Sequence, residues 1–419
     1  MDGLEEDRGF DHLVLRYRTR AGLTQQELAD FSTISVRAIR DLEHGRAQRP
    51  RRDTVRLLAD ALRLNDRDRA RLEAAAGRTA GTDLRIGAPG AAVPPPAGTV
   101  PVGRVDEADV LTADLGTAGR RVVTLTGAPG AGKTTLAMEV AGRLHRRSDL
   151  PVLWIGGPGG AATAAHPAVL EALYGTGGRE AREHLGALTG AIGDREVLLV
   201  LDSPRPAAPD ARALAELLAD CPGLRVLSTA HRPHRVPGEQ VFLVDPLREE
   251  DAVELLRGLL ASAGADTPDG DPAPARICAL LDHLPGALRT VASWSAVYGT
   301  ATLLESLREN PLPLLAPLDP GSGDDLAAAV RRALADRDPH EEAVLEVLCQ
   351  TPDGEPADTL AQRAGLGLAD CGRALMSLVS AGLVRRLPDG ARSRFHALNL
   401  VRAVRGTQGR TEERREMAL

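Results

Sequence analysis

Residues 127–135 read GAPGAGKTT, and the organisation of the whole chain follows from them. Gly127, Gly132, Lys133 and Thr134 stand at the fixed places of G-x-x-x-x-G-K-[ST], with the apolar run VVTLT before them and the helical pattern TTLAMEVAGRL behind. A strand, a glycine-rich turn and a helix start in that order let successive backbone N–H groups face one anion, and the new helix adds its positive end. Gly130 gives the turn a further permissive position. Lys133 is the sole lysine among the 51 Lys and Arg residues. GC-rich coding accounts for the arginines but not for the exception. A slim ammonium enters a closed loop that a planar guanidinium does not, so the two are not exchangeable here. The motif predicts Lys133 on the β and γ phosphates of a nucleotide, the Thr134 hydroxyl on Mg²⁺, and Thr135 on the α-phosphate.

Moving outward, further short apolar runs alternate with helical segments: PVLWI, VLLVLD, LRVLST and QVFLV. Such alternation predicts an α/β nucleotide-binding domain over 102–246 with a mainly parallel sheet. VLLVL ends in Asp202, a carboxylate delivered to the phosphate loop, where it is expected to hold Mg²⁺ through water. Lys133 and Asp202 are therefore the two candidate catalytic residues, and Thr134 and Asp202 the candidate metal ligands. The next residue is Ser203, where many related ATPases carry a second carboxylate that activates water. Its absence predicts at most a weak ATPase.

On the N-terminal side, Gly77 to Pro101 includes GAPGAAVPPPAGTVP, too rich in Pro and Gly for a core, and reads as a linker. Residues 1–76 are helical in pattern throughout. Within them, AGLTQQELADFSTISVRAIRDLEHGRAQRP (21–50) encodes two short helices about a tight turn. Thr24 and Glu27 form the spacing of a capping box, and Ser35 starts the second helix. Beyond Pro246 the strands stop. Residues 247–322 read as a helical domain, 323–407 as three short helices followed by LVRRL, a PDG turn and SRFHAL, and 408–419 as a charged tail. Three helices and a hairpin are the layout of a winged helix.

These pieces resemble two families. Residues 21–64 are similar to the lambda-repressor and Cro-like (XRE) helix-turn-helix. That geometry lays the second helix in the major groove of double-stranded DNA, implying base or backbone contacts from Gln25, Ser35, Val36, Arg37 and Arg40. Arg46, Arg49, Arg51 and Arg52 form a local basic patch for phosphates. Residues 100–405 resemble the NB-ARC module of the STAND class of signal-transduction ATPases. PVGRVDE implicates Val102, Gly103 and Arg104 beside the adenine. LRVLSTAHRP matches the sensor strand that commonly ends Thr-Ser-Arg, with Thr229 kept, Ala230 and His231 in the next two places, and Arg232 one position late. HLPGALR resembles the Gly-Leu-Pro-Leu motif and implies Pro285 near the nucleotide. RFHAL resembles the Met-His-Asp motif, with His396 kept and Ala397 in place of the Asp; the resemblance implies that His396 contacts the β-phosphate of ADP.

Composition sets limits on other functions. A net charge of −7 does not describe a chain that binds polyanions as a whole. Cys221, Cys278, Cys349 and Cys371 are too scattered for a metal site or a disulfide framework and predict buried free thiols. The start MDGLEED is acidic with no apolar stretch behind it, and no apolar run reaches a membrane-spanning length, so a cytoplasmic protein is expected. With 2% aromatic residues, a base-stacking reader of single strands is disfavoured.

The expected whole is a DNA-binding transcription regulator switched by ADP and ATP with Mg²⁺, self-associating on activation. The resemblance suggests secondary metabolism or development as its field. Two alternatives stay open: a STAND-type defence or signalling protein whose helix-turn-helix binds protein, and a degenerate switch holding ADP as a structural cofactor. STAND proteins usually carry a repeat array as sensor; here the signal is expected from an unknown partner protein, a small molecule or nucleotide supply.

Overall fold

Strands covered on both faces need no polar alternation, and VVTLT and VLLVLD have none. They form β1 (Val122–Thr126) and β3 (Val197–Asp202), and all their residues are buried. With β2 (Val152–Gly156), β4 (Leu224–Thr229) and β5 (Glu239–Leu243) they build a five-stranded parallel sheet in the order β2-β3-β4-β1-β5. The carboxyl ends of β3, β4 and β1 therefore lie side by side, where parallel sheets present their ligand-binding loops.

The computed structural model describes residues 10–43, 52–62, 64, 72, 101–116, 120–156, 188–190, 192–202, 211–265, 268, 270–316, 325–335, 337–389 and 392–406. Ser203, Arg46, Arg49, Arg51, most of the 77–101 linker and the 408–419 tail lie outside these residues, as does the side chain of Arg52. The chain divides into two units, residues 1–91 with 164–193 and residues 92–163 with 194–419.

In the first unit, α1 (Phe10–Arg20), α2 (Gln25–Ser32), α3 (Val36–Glu43) and α4 (Arg52–Ala61) surround a core of Leu13, Val14, Tyr17, Leu28, Ile39, Leu42, Val55 and Leu58. The capping box is present: Thr24 Oγ1 accepts the Glu27 N–H at 3.1 Å and the Glu27 carboxylate accepts the Thr24 N–H at 2.7 Å. Those bonds hold the Glu27 carboxyl below its ordinary value. Thr33, left-handed at φ 56°, ends α2, and Ser35 Oγ then accepts the Ala38 N–H at 3.3 Å to start α3.

In the second unit, α5 (Val105–Gly116) packs beside α6 (Lys133–Ser148), which follows the glycine loop and places His145, Arg146 and Arg147 in its last turn, matching the helix dipole. α7 (Ala211–Asp220) lies between β3 and β4 in the chain. A helical region follows, α8 (Glu249–Ser262), α9 (Ala273–Leu280), α10 (Pro285–Ser293) and α11 (Thr300–Glu309). Next come α12 (Leu326–Ala335) and the winged helix: α13 (Pro339–Gln350), β6 (Glu355–Pro356), α14 (Ala357–Arg363), α15 (Leu368–Ser380), β7 (Val384–Asp389) and β8 (Arg392–Ala397). A last helix spans 399–406. Strand β6 is too short to announce itself in sequence; it pairs antiparallel with β8 and completes a sheet of order β6-β8-β7.

One apolar cluster runs through all parts of this unit, from Leu125, Ala128 and Leu136 at the glycine loop through Leu284 and Leu288 to Val330, Leu378 and Leu383. Each fully buried leucine contributes about 2 kcal/mol, so the helical and winged parts are held on the loop by a true core rather than by polar contacts alone. Cys221, Cys278 and Cys371 are buried free thiols within this unit and Cys349 is half-buried. Burial first, then Glu249, pushes the Cys278 thiol up to about 12.

Candidate functional site

The loop between β1 and α6 is shaped by three glycines at positive φ: Gly127 at 132°, Gly130 at 80° and Gly132 at 96°. At Gly127 a Cβ would stand 2.5 Å from the Val244 carbonyl oxygen, so only glycine lets the loop leave the sheet there. Gly132 is the N-cap of α6 and provides no side-chain acceptor, which leaves the first N–H groups of the helix without a side-chain cap. Lys133 is buried and donates from Nζ to the carbonyl oxygens of Gly127 and Ala128, both at 2.8 Å. Burial pushes its pKa down to about 8, with Asp202 opposing.

Asp202, fully buried at the end of β3, faces Thr229 across the β3–β4 register. Its Oδ1 accepts from Thr134 Oγ1 and from Thr229 Oγ1, each at 2.7 Å. Its Oδ2 has no hydrogen-bond partner among the described residues. Burial raises the Asp202 carboxyl, and the two threonine bonds and Lys133 pull it back. A buried carboxylate oxygen left unpaired costs free energy unless a ligand or cation satisfies it. Beside an uncapped helix start and a buried ammonium, these groups fit a phosphate chain with a divalent cation. Thr135 is half-buried, and Ser203, the predicted departure, lies outside the described residues.

Several residues that the sequence singled out enclose this loop. Arg104 is buried; its guanidinium donates to the Ala131 carbonyl at 3.2 Å, to Glu107 at 2.9 Å and to the Asp245 carbonyl. It thus clamps the loop to the segment just after β5. Val102 is half-buried, and Gly103, at φ 67°, leaves no room for a Cβ, which would lie 2.6 Å from the Asp251 carboxylate. Pro285 opens α10 with its Cγ 3.8 Å from where a Gly132 Cβ would be, and the Gly286 N–H donates to the Gly130 carbonyl at 2.8 Å. Leu326 of α12 closes the Gly130 side.

Sequence reasoning missed the most intimate contact. Gly382, left-handed at φ 69° in the turn between α15 and β7, lies directly on Gly127 and Ala128. A Cβ there would overlap the Ala128 amide and stand 2.6 Å from the Gly127 carbonyl carbon. Gly382 sits in AGLV, which reads as an ordinary loop glycine; only the fold reveals its neighbour.

Arg232 follows β4 and pairs with Glu341 of α13 at 2.9 Å. His396 lies on β8 opposite Arg385, half-buried, with Nε2 enclosed and without a hydrogen-bond partner among the described residues. Burial, then Arg385 and Arg402, lower its pKa, so the imidazole is neutral near pH 7. Ala397 is buried in the core. The carboxylate clasping the helix that follows comes from elsewhere: Asp282 accepts the Asn399 N–H at 2.9 Å and the Leu400 N–H at 3.0 Å.

In the first unit, Arg37 and Arg40 stand on the exposed face of α3, opposite Ile39 and Leu42. Ser35 is exposed at its start. Two of the residues expected to face DNA also make contacts within the domain. Val36 is half-buried against the core, because its position on α3 turns toward that core. Gln25 donates to the Glu43 carboxylate at 2.7 Å, which also accepts from Arg18 at 2.5 and 3.2 Å. Glu43 therefore ties α1, α2 and α3 together, and the Gln25 amide serves that tie.

Residues 13–72 match the family model described as a helix-turn-helix domain. This segment is a helix-turn-helix domain. The chain that carries the helix-turn-helix domain is similar to Rv0890c of Mycobacterium tuberculosis, named provisionally as an HTH-type transcriptional regulator, at 32% identity over 184 residues. That match spans 41% of this chain and 20% of the other. It is also similar to regulatory protein AfsR of Streptomyces griseus, 28% identical over 280 residues, covering 55% of this chain and 27% of AfsR. The matches thus span about a fifth to a quarter of these two relatives. Among solved structures, the ORC1 protein of Aeropyrum pernix in complex with DNA has a TM-score of 0.36 at 17% identity, covering 75% of this chain and 95% of that one. No helix among the described residues is long and apolar enough to cross a membrane.

Proposed function

We propose that this protein is a DNA-binding transcription regulator whose second unit is an NB-ARC-like switch set by ADP or ATP. The single observation that carries the switch is Gly382 of the winged helix seated on Gly127 and Ala128 of the phosphate loop. Whatever fills that loop then acts on the position of the winged helix. Lys133, the α6 amides and Thr134 would hold the phosphates, with Thr134 and Asp202 toward Mg²⁺; the unpaired Asp202 Oδ2 supports this assignment. Bound Mg²⁺ would neutralise phosphate charge there. Pro285 and Gly286 hold the loop from the helical side, and the unpaired Nε2 of His396 suits a phosphate oxygen in the closed, ADP-bound state. Ser203 follows Asp202 in the sequence where a second carboxylate would activate water, so the site is expected to hold nucleotide and to turn it over slowly at most.

DNA binding rests on the helix-turn-helix domain, with Arg37 and Arg40 on the exposed face of α3 reading base edges and the basic segment around Arg46, Arg49, Arg51 and Arg52 meeting phosphates. The relatives named as regulators support the same role and, through AfsR, a regulatory circuit of the bacterial kind. Self-association of opened molecules would place two domains on a two-fold DNA site.

The test is to identify the nucleotide that copurifies with the full chain, then measure binding to genomic duplex fragments with ADP and with ATP over a range of salt. A nucleotide-dependent affinity that falls steeply with salt is expected. Equal DNA binding in both states, unchanged in Lys133→Ala, refutes the switch.

A further inference from the structure

Glu341 is a buried carboxylate with two guanidinium partners, and nothing in the nucleotide reading above requires it. It lies in the first turn of α13, 2% exposed, where its own N–H is bonded to the Asp338 cap at 2.9 Å. Arg232 reaches it at 2.9 Å and Arg337, one turn back, at 3.3 Å. The Arg337 side chain is 4% exposed, whereas that of Arg232 is 44% exposed. A carboxylate bonded to two guanidinium groups is held by charge-assisted hydrogen bonds, and burial of Glu341 and Arg337 strengthens them.

The location gives this triad its meaning. Thr229, three residues before Arg232, bonds Asp202, and the Ala230 N–H bonds the Leu125 carbonyl at 3.0 Å. Arg232 therefore emerges at the carboxyl end of β4, beside the phosphate loop, where an anionic ligand is expected in a parallel sheet. In the closed structure its partner is instead a carboxylate brought by the winged helix.

Accepting the nucleotide site proposed above, we infer that Glu341 is an internal stand-in for a terminal phosphate: it holds Arg232 in the closed state and sets the preference between nucleoside di- and triphosphates. A diphosphate leaves the Arg232–Glu341 pair in place. A triphosphate brings a competing anion to Arg232, and Glu341, then facing a like charge, keeps Arg337 but loses Arg232, and with it the hold of α13 on the segment after β4. Discrimination thus comes from exchanging one anion for another on a single guanidinium, with no new cation required.

The experiment measures ADP and ATP affinities of the full chain and of Glu341→Gln, Arg232→Gln and the double variant, with Lys133→Ala as the loop control. Glu341→Gln removes the charge and keeps the shape. It is expected to raise ATP affinity relative to ADP by about tenfold, the scale of one hydrogen bond to a charged group, and to leave ADP affinity nearly unchanged. In the Arg232→Gln background the same change is expected to have no effect on the ratio. An unaltered ratio in Glu341→Gln, or an equal change with and without Arg232, overturns the inference. Should Glu341→Gln fail to fold, Arg232→Gln decides alone, since its side chain is only partly buried: collapse of the ATP-to-ADP difference supports the inference and an unchanged difference overturns it. If the unaltered protein and Lys133→Ala bind neither nucleotide, the nucleotide reading itself has failed, an outcome distinct from the others.

Discussion

Replacing Gly382 by alanine tests the closed state at its tightest point. Two costs arise. The left-handed φ of 69° disfavours any L side chain, by roughly 1–2 kcal/mol. The new Cβ would also stand 2.6 Å from the Gly127 carbonyl carbon and 2.8 Å from Ala128 Cα, where 3.4 Å begins ordinary contact. Both neighbours are backbone, so the two loops must part by roughly 1 Å, and relieving such overlap typically costs a further ~1–3 kcal/mol. Gly365 isolates the second cost: it is left-handed at φ 65°, also within the winged helix, and has nothing within 4 Å of its missing Cβ. Gly365→Ala should therefore carry only the conformational cost. Hydrogen exchange of residues 127–135 and release of a fluorescent ADP analogue read the difference. We expect Gly382→Ala to speed both, by about tenfold for each 1.4 kcal/mol lost from closure, and Gly365→Ala to leave both near the unaltered rate. Equal exchange over 127–135 in the two variants would show that the winged helix does not hold the loop, and the coupling drawn from Gly382 would fall.

Four other outcomes follow from named contacts. Lys133→Arg should lower nucleotide affinity about a hundredfold or more, because the guanidinium does not fit where Nζ now reaches two carbonyls of its own loop; equilibrium titration checks it. Glu43→Ala should destabilise the helix-turn-helix domain on the order of 3 kcal/mol, since it strands Arg18 and Gln25, seen as faster amide exchange in α1 to α3. Arg37→Ala should weaken duplex binding without changing the unfolding temperature, because Arg37 is exposed. Asp282 gives a pH prediction: burial raises its carboxyl from 3.8 to about 6 against the pull of the Asn399 and Leu400 amides. A folded-state pKa above the unfolded one means that protonation stabilises the fold, fully below pH 3.8 and not above about 6. Asp282→Asn should remove that slope, on the order of 3 kcal/mol over the window. His283 and His396, lowered by burial, slope oppositely below pH 6.5, so the comparison is variant against parent.

What the sequence made legible was local. The central strand β3 is a continuous apolar run because burial on both faces erases alternation, whereas the edge strand β5, EQVFL, is only partly buried and keeps polar residues; the glycine loop is legible because phosphate-binding turns demand fixed glycines between strand and helix. Asp202 was readable as a strand-end carboxylate. The contacts that close the site were not, since their partners are distant in the chain: Arg232 and Glu341 are 109 residues apart, and Asp282 and Asn399 are 117. The Gln25 bond was hidden for the same reason; nothing near it in sequence discloses that Glu43, 18 residues on, accepts from its amide. Arg104, which the resemblance implies beside the adenine, bonds the loop's Ala131 carbonyl, Glu107 and the Asp245 carbonyl, partners that its sequence neighbourhood discloses only in Glu107.

The distribution of those contacts bears on how a switch could open. Arg104 holds the loop at Ala131 and Gly286 holds it at Gly130, both through single hydrogen bonds to carbonyls in which no winged-helix residue takes part. Gly382 touches it with backbone alone, a contact that contributes dispersion and little else. The stronger ties of the winged helix lie off the loop, in the Arg232–Glu341 pair on one side and the Asp282 clasp on the other. Opening therefore need not dismantle the phosphate site. It requires loss of a charged pair, of two hydrogen bonds to a buried carboxylate and of the apolar contacts that join the winged helix to the rest of the unit, while Arg104 and Gly286 keep the loop preformed. In the switch proposed above, a site built this way would retain its nucleotide as the winged helix departs, which separates holding the nucleotide from reporting it.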